Sequence, residues 1–323
     1  MAIFNNFFRD VGIRMAKKQA HEIDAVTEEA PILAQLPMQE ASHGIRNVYE
    51  ELKEVDGAQL VNLDDELPSI GSEGTLGYQD LSVLGGIIRV GEDKAKKFGG
   101  AGAYFAKKMP SILRQTGADT ETSLIYNNIR PYAKANSREQ SAQLSAAATA
   151  ASQYSIVCVK WVEGETIGLY DSNGFGNGKV FDMLPLNGGN AYEFTDTDDK
   201  TKVGFGERIK AYFALQLANP RNVSSIVNVE LTADATSDTG YQALPTEAQM
   251  NKMIRDARGN PANTFIYCHP SVLDALGAYK GSALQMMPTN EDYNTVIATW
   301  NGIKIITSYN FDDGTEAVVT GYA

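Results

Sequence analysis

The glycine-rich stretch GFGNGKV, residues 174–180, comes nearest in this sequence to a phosphate-binding motif. A P-loop follows the pattern Gly-x-x-x-x-Gly-Lys-Ser/Thr, in which the final hydroxyl binds Mg²⁺. Here Asn173 occupies the first Gly position and Val180 replaces the Ser or Thr. Because the magnesium ligand is missing, we interpret the stretch as a glycine-rich turn and predict no bound nucleotide or other cofactor.

An acidic run, Asp196-Thr197-Asp198-Asp199, followed by Glu207, partly imitates a calcium-binding loop. Such a loop needs oxygen ligands at alternate positions and a Gly at its sharp turn. Lys200 and Thr201 occupy two of those positions. We therefore interpret the run as an exposed turn and predict no metal site.

The thiol and imidazole groups are few and scattered: Cys158, Cys268, His21, His43 and His269. Cys268 and His269 adjoin, but neighbouring residues of a strand point to opposite faces, so adjacency alone does not make a nucleophile–base pair. Cys158 lies in an apolar run, where a small core residue is expected. The spacing fits no zinc motif either. We predict no catalytic residues and no enzymatic activity.

The charge balance limits the partners that this chain can have. Its 323 residues include 28 Lys and Arg and 40 Asp and Glu, which gives a formal net charge of −12. Such a surface repels phosphate backbones, so tight nonspecific binding to DNA or RNA is not expected. Two cysteines make no disulfide framework and fit a reducing cytosol. Neither a signal peptide nor an apolar run of roughly 18 residues is present, so the product is expected to stay inside the cell.

The longest periodic segment is residues 102–135, whose apolar residues recur three or four apart, as on one face of a helix. Pro110 lacks the N–H that an interior turn needs, and Gly117 weakens the turn before Asp119, which could cap a second helical segment. We predict one long helix that is interrupted at these positions. Because no catalytic constellation lies on it, an architectural protein is the first hypothesis.

Residues 42–95 are predicted to form a long β-hairpin, with limbs near Ile45–Leu63 and Leu76–Val90. The tip between the limbs, DDELPSIGSEG, is acidic and rich in turn-forming residues. A hairpin of this length cannot bury both faces by itself and must lie on another surface. The tip carboxylates are therefore our candidate intersubunit contacts: Asp64, Asp65, Glu66 and Glu73.

Residues 1–40 have the composition of an arm. Phe4, Phe8, Val11 and Met15 can share one helical stripe, with the basic side chains largely outside it. Two interpretations stay open: a short helix folded back on its own domain, or an arm that lies on a neighbouring subunit. In the second, Arg9 and Arg14 are candidate intersubunit contacts.

The second half alternates strands and helices. Residues 155–162 are predicted to form a buried strand, and residues 204–218 a half-buried strand whose partner is the segment 223–231. Thr246 opens a helix with a capping box, TFIYC is a strand, and a second helix begins at His269-Pro270. Asn301-Gly302 is the strongest hairpin signal, and EAVVT is predicted to be the last strand.

Several stretches of the second half resemble the major capsid proteins of tailed bacteriophages of the Hong Kong 97 type, and most closely the podovirus shell proteins of the epsilon-fifteen kind. The stretches that carry the resemblance are WVEGETIGLYDSNGFGNG, LPLNGGNAY, LQLANPR, RGNPANTFIYCHPSVLDAL and TWNGIKIITSYNF. The first half is similar in the order of its parts. These motifs are turns and packing segments, so the resemblance rests on all of them together and not on any single one.

The resemblance implies an α+β capsid fold with four parts: an N-terminal arm (1–40), an extended loop (41–95), a peripheral domain with the spine helix (96–242) and an axial domain (243–323). It also implies self-assembly into hexameric and pentameric capsomers of a shell around double-stranded DNA, with scaffolding, cement and portal proteins as further partners and no membrane. Some family members link a loop lysine to an asparagine. Residues 54–75 here contain no lysine, so that chemistry is not expected.

Two other function classes stay open on the sequence alone. One is an intracellular DNA- or ligand-binding module that uses the basic segment 9–18. The other is an enzyme that uses the acidic loop 196–199. Particle size separates them from the shell hypothesis, because only a shell protein forms hollow particles.

Overall fold

The computed structural model describes residues 28–63, 66–142, 153–171, 181–195, 200–237, 239–279, 284–288 and 296–319. The α-helices within these residues are α1 (Pro31–Gln35), α2 (Glu92–Lys97), α3 (Ala101–Ser123), α4 (Arg130–Ala135), α5 (Glu247–Asp256) and α6 (Pro270–Leu276). A π-helical segment (Leu124–Ile129) joins α3 to α4, and short 3₁₀ turns lie at Leu186–Gly189, Pro220–Asn222 and Gly277–Tyr279.

The strands of the described residues form two sheets and a separate hairpin. Their bounds are β1 (Met38–Glu40), β2 (Arg46–Val55), β3 (Ser72–Asp80), β4 (Ser82–Gly91), β5 (Glu139–Ser141), β6 (Gln153–Lys160), β7 (Thr166–Tyr170), β8 (Phe181–Pro185), β9 (Tyr192–Thr195), β10 (Thr201–Leu217), β11 (Val223–Ala233), β12 (Tyr241–Ala243), β13 (Thr264–Cys268), β14 (Leu284–Pro288), β15 (Val296–Trp300) and β16 (Ile303–Thr307).

The eight-stranded sheet forms the centre of the molecule. Its order is β12-β11-β6-β13-β16-β15-β14, and β5 pairs in parallel with β11. The alternation along β6 divides its side chains between two cores: Ile156 and Cys158 pack with the residues of α5 and α6, and Val157 and Val159 pack against the long helix. Because strands on both sides of residue 243 share this sheet, the predicted domain boundary there does not coincide with a break in it.

The long helix runs without a break from α3 through the π-helical segment to α4, and Pro110 lies inside α3. The prediction of an interruption at Gly117 and a cap at Asp119 is wrong. Gly117 lies within α3, and a Cβ added there would make only an ordinary contact with the Ala30 side chain, at 3.6 Å. Asp119 accepts a hydrogen bond from Gln115 within the helix.

The widened turns of the π-helical segment come just before Pro131. This proline has no N–H to give to a preceding carbonyl, and its ring crowds the turn before it, which disfavours regular α-helical geometry. Leu124, Ile125 and Ile129 of the segment are all buried. The irregular turns therefore lie where the helix contacts the eight-stranded sheet.

The six-stranded sheet has the order β1-β7-β10-β4, with β8 and β9 also paired to the long strand β10. The strand predicted over 204–218 is confirmed, but its predicted partner is wrong, because β11 belongs to the eight-stranded sheet. The turn at Pro220–Asn222 carries the chain from one sheet to the other.

The predicted hairpin is present, over a shorter range. β2 and β3 pair antiparallel from Arg46↔Asp80 to Val55↔Ser72. The second predicted limb divides at Leu81, because Ser82–Gly91 leaves the hairpin and pairs with β10. This division fixes the base of the hairpin to the six-stranded sheet.

The short-range predictions of the C-terminal part are largely confirmed. Thr246 and Gln249 form the capping box of α5, and β15 and β16 form a hairpin with Asn301 and Gly302, both of positive φ, at its turn. The predicted last strand EAVVT is wrong within the described residues, since Glu316 makes only an isolated bridge to Gln153. The division into arm, loop, peripheral and axial parts stays a prediction.

Candidate interaction surface

The β2–β3 hairpin is the part of the described chain that leaves most apolar surface in water. The exposed large apolar residues between positions 46 and 80 are Leu52, Val55, Leu60, Val61, Leu63, Leu67, Ile70, Leu76 and Tyr78. Leu67, near the tip, is 81% exposed. A two-stranded hairpin has no core of its own, so these side chains stay in water unless another chain covers them.

The hairpin is also strongly acidic. Residues 46–80 contain nine Asp and Glu against one Arg and one Lys, a formal charge of 2 − 9 = −7. Glu73 lies directly opposite Glu54 in the pairing of β2 with β3, and both are exposed. Like charges across a strand pair repel, so a cation brought to Glu73 relieves an unfavourable contact.

The structure places the predicted contact residues in two groups. Glu66 and Glu73 lie on the exposed tip and limb of the hairpin. Asp64, Asp65, Arg9 and Arg14 lie outside the described residues, as do His21 and both loops weighed for nucleotide and calcium binding, 174–180 and 196–199.

The base of the hairpin is firmly attached. Asn47, which is 8% exposed, donates its side-chain amide to the Oε1 of Gln216 in β10 at 2.5 Å. The backbone N–H of Leu81 donates to the carbonyl of Ile45 at 2.8 Å. The hairpin therefore has a fixed root and an exposed tip.

A basic surface lies at the start of the long helix. Its five lysines are Lys94, Lys96, Lys97, Lys107 and Lys108. They outnumber Glu92 and Asp93 of the same region, a formal charge of 5 − 2 = +3, and Lys96 forms an ion pair with Glu92 at 2.6 Å. Lys94 lies over the ring of Tyr104 and Lys107 over the ring of Phe98, at 5.3 and 5.8 Å from the ring centroids. The two rings pack edge to face. The charge of this basic surface is complementary to that of the acidic hairpin. Because the two lie on different parts of one chain, the hairpin of one copy could meet the basic surface of another.

A groove of about 740 Å³ lies between α3 and the six-stranded sheet, and we call it the helix groove. Its apolar lining includes Leu84, Ile87, Ile112, Leu124 and Phe213. Along the helix its edge carries polar residues, among them Asp119 and Ser123. An apolar groove of this volume is large enough to accept several side chains of another segment.

Two buried carboxylates fix the long helix to the rest of the chain. Glu121 is fully buried and accepts hydrogen bonds from the backbone N–H of Ile32 at 2.7 Å, from Asn310 Nδ2 at 3.0 Å and from the Ser308 hydroxyl. Glu121 is not among the residues predicted from the sequence, although it falls on the apolar stripe four residues before Ile125. A carboxylate at a core position is the signal that could have identified it.

The second buried carboxylate, Glu316, forms an ion pair with Arg130 at 2.8 Å and accepts hydrogen bonds from Tyr126 at 2.7 Å and Ser155 at 2.8 Å. Burial raises the pKa of Glu316, and Arg130 opposes this only in part. Burial also raises the pKa of the nearby Glu139. These contacts attach the C-terminal residues to the long helix.

The sulfur and imidazole groups are placed for packing. Cys158 and Cys268 are fully buried, and burial raises the pKa of each thiol to about 12. His269 caps α6 by accepting the N–H of Ser271, and burial lowers its pKa. Cys268 packs in the core beside α6. Within the described ranges, no group of three or more His, Cys, Asp or Glu is arranged to hold a metal ion.

None of the helices in the described part of the chain is long and apolar enough to cross a membrane. No protein-family model matches the sequence, and no curated protein is significantly similar to it.

Solved structures, by contrast, resemble the chain over nearly its whole length. One is the near-atomic structure of bacteriophage Epsilon15, with a TM-score of 0.53 and 14% identity, covering 95% of this chain and 90% of the other. A second is the bacteriophage JBD30 capsid, with a TM-score of 0.54 and 11% identity, covering 93% and 98%. A third is the JBD30 capsid decorated with minor capsid protein trimers, with a TM-score of 0.51 and 12% identity, again covering 93% and 98%. The predicted α+β fold of Hong Kong 97-like phage capsid proteins is confirmed.

Proposed function

We propose that this chain is the major subunit of an icosahedral shell that encloses double-stranded phage DNA. The observation that carries the proposal is the hairpin, which presents exposed apolar residues on a fixed root in a chain with the fold of phage capsid proteins. Hydrophobic surface of this extent is costly in water and is typical of a protein–protein contact. The role is structural, and the buried thiols and capped His269 described above serve packing.

In the shell, the acidic hairpin of one subunit would lie on the basic surface of its neighbour. Glu66, Glu73, Asp64 and Asp65 would then meet lysines, while the apolar residues of the tip would be buried between the subunits. Exposed ion pairs contribute little energy each, so they would set the register of the contact, and apolar burial would supply its strength. Arg9 and Arg14 are proposed as further intersubunit contacts.

The same proposal includes assembly into hexameric and pentameric capsomers, in the cytoplasm of a host bacterium, and a final location in the virion. Many copies of a modest contact give a stable particle through multivalency. A net charge of −12 lets the shell surround DNA without gripping it. Scaffolding, cement and portal proteins are further proposed partners.

The experiment is assembly of the purified chain, followed by light scattering and negative-stain electron microscopy across salt concentrations. The wild-type chain is expected to form hollow particles. Leu67→Asp, which places a charge in the proposed contact, is expected to reduce assembly strongly, and the control Leu67→Met, which keeps the apolar surface, is expected to assemble. A strictly monomeric wild-type chain under all conditions, with scaffold supplied, would overturn the proposal.

A further inference from the structure

The helix groove is an apolar surface that no described residue covers. Ile87 lines it and is 49% exposed, and Val83, at its rim, is 60% exposed. The floor is formed by β4 and β10, and one wall by α3. The buried Leu124, next to the end of α3, lines the same groove as these exposed apolar side chains. An occupant with apolar side chains would therefore extend an existing core.

The described chain begins beside this groove. Glu28 lies with Gln115 and Asp119 around a shallow cleft on the flank of α3, and Asp119 also lines the helix groove. Three residues further on, α1 begins at Pro31, and Glu121 accepts hydrogen bonds from the N–H groups of Ile32 and Leu33. Glu28, the first described residue, therefore lies one helix side chain away from the groove.

The sequence of the N-terminal segment suits the groove. Phe4, Phe8, Val11 and Met15 recur at helical spacing and form one apolar stripe. Residues 1–18 contain four basic side chains and one acidic one, a formal charge of 4 − 1 = +3, so the rest of the chain carries −12 − 3 = −15. Opposite charge favours association of the segment with its own subunit, and a short connection gives a high effective concentration.

We propose that in the unassembled subunit residues 4–15 bind in the helix groove of their own chain, with the apolar stripe against β4 and α3. The inference goes beyond the shell function, since it concerns the single subunit. The basic face of the segment then points outward. Arg9 and Arg14, on that face, stay accessible to a neighbouring subunit.

The first test measures access to the groove in the full-length chain. Ser123→Cys places a thiol at the exposed groove edge, and the native thiols are fully buried, so the introduced one dominates the reaction with a maleimide. Replacing Phe4 and Phe8 by Asp in the same chain is expected to speed labelling about tenfold or more, as the bound segment is released. Ile13→Asp, on the opposite face of the stripe, is expected to leave the rate unchanged.

A second thiol position controls for general changes in the subunit. Ala103→Cys lies on an exposed part of α3 away from the groove, and its labelling rate is expected to be the same with and without the Phe4 and Phe8 substitutions. Equal rates at Ser123→Cys in all chains would show that the segment does not cover the groove, and would overturn the proposal.

Cross-linking distinguishes the subunit's own segment from that of a second copy. A chain with Val11→Cys and Ser123→Cys is treated with a short bismaleimide at dilutions where light scattering detects no particles. A cross-link within one chain, with a yield independent of concentration, is the expected result. Cross-linked dimers alone, or no cross-link, would overturn the proposal, and neither outcome bears on whether the chain forms shells.

Discussion

The Glu121 carboxylate and the backbone N–H of Ile32 are joined by a 2.7 Å hydrogen bond across 89 residues of sequence. The same carboxylate accepts hydrogen bonds from Ser308 and Asn310, near the other end of the chain. A buried carboxylate is tolerated when several donors satisfy it. Glu121 thus joins the root of the N-terminal segment, the long helix and the C-terminal loop at one point.

Replacing Glu121 by Ala is expected to lower the free energy of unfolding by about 2–4 kcal/mol, because it leaves the donors of two segments, at residues 32–33 and 308–310, without this acceptor. Urea denaturation of the unassembled chain measures the change. Glu163→Ala, on an exposed turn, is the matched control and is expected to change stability by less than about 0.5 kcal/mol. A similar small effect at both positions would show that the Glu121 contacts contribute little.

Glu316 gives the stability of the fold a specific pH dependence. Burial raises its pKa in the folded state above the ordinary glutamate value of 4.5, so the folded state holds this proton more tightly than the unfolded state. The stability that Glu316 contributes is therefore fully present below its unfolded pKa and is lost as pH rises through the folded pKa. Glu316→Gln is neutral throughout and lacks this loss.

The free energy of unfolding of the wild type, relative to Glu316→Gln, is therefore expected to decrease as pH rises from about 4 to 8. Glu316→Gln also removes the ion pair with Arg130, so the size of the difference at any one pH reflects more than the pKa of Glu316. The prediction therefore concerns how the difference changes with pH. Denaturation series across pH measure it, with Glu163→Gln as an exposed control that should show no such slope. A difference that grows with pH would mean that Arg130 outweighs burial at this site.

Local rules in the sequence were sufficient where a few neighbouring residues determine the structure. Asn301-Gly302 fits the positive φ values of its turn, and Thr246 with Gln249 caps α5 without help from elsewhere. The apolar stripe likewise identified the long helix. These elements were predicted because their causes lie within a few residues of sequence.

Pairing and packing between distant segments could not be derived in the same way. Alternation along β10 shows which side chains face inward, but it does not name the strand beside it, and the neighbouring β11 belongs to another sheet. Gly117 weakens a helix by its intrinsic propensity, yet it lies inside α3, because propensity is a weak term that the packing of the whole helix can override. The acidic hairpin tip followed from composition, whereas the helix groove and the basic surface exist only in the folded chain.

Duplex DNA is expected to bind the unassembled chain weakly and to dissociate at physiological salt. The net charge of −12 opposes the phosphate backbone, and screening removes what attraction the basic segments supply. Fluorescence anisotropy with a labelled duplex, at low and physiological salt, measures the affinity. Sub-micromolar binding that persists at physiological salt would favour the DNA-binding module over the shell.

A charge reversal at Glu73 separates stability of the hairpin from assembly. Glu73→Lys replaces the repulsion with Glu54 by an attraction, so the unassembled chain should be no less stable than the wild type. If Glu73 meets lysines of a neighbour, the variant should assemble more slowly, and the defect should shrink at high salt. Light scattering and urea denaturation on the same preparation give both quantities. Unchanged assembly would place Glu73 outside the contact.

Protease access to the hairpin tip compares the free and assembled states directly. Glu66 and Glu73 are exposed, and the tip around Leu67 has no cover from the described chain, so a Glu-specific protease should cut there quickly in unassembled subunits. In a shell, the neighbour's surface would bury the tip, and ordering about ten residues costs on the order of 10 kcal/mol of backbone entropy, so the contact that protects it must be extensive. Cleavage should therefore be slow in assembled particles.

Mass spectrometry of the fragments locates the cut, and cleavage after the exposed Glu163 serves as a reference in both states. Equal rates at the tip in both would mean that the hairpin is not an intersubunit element.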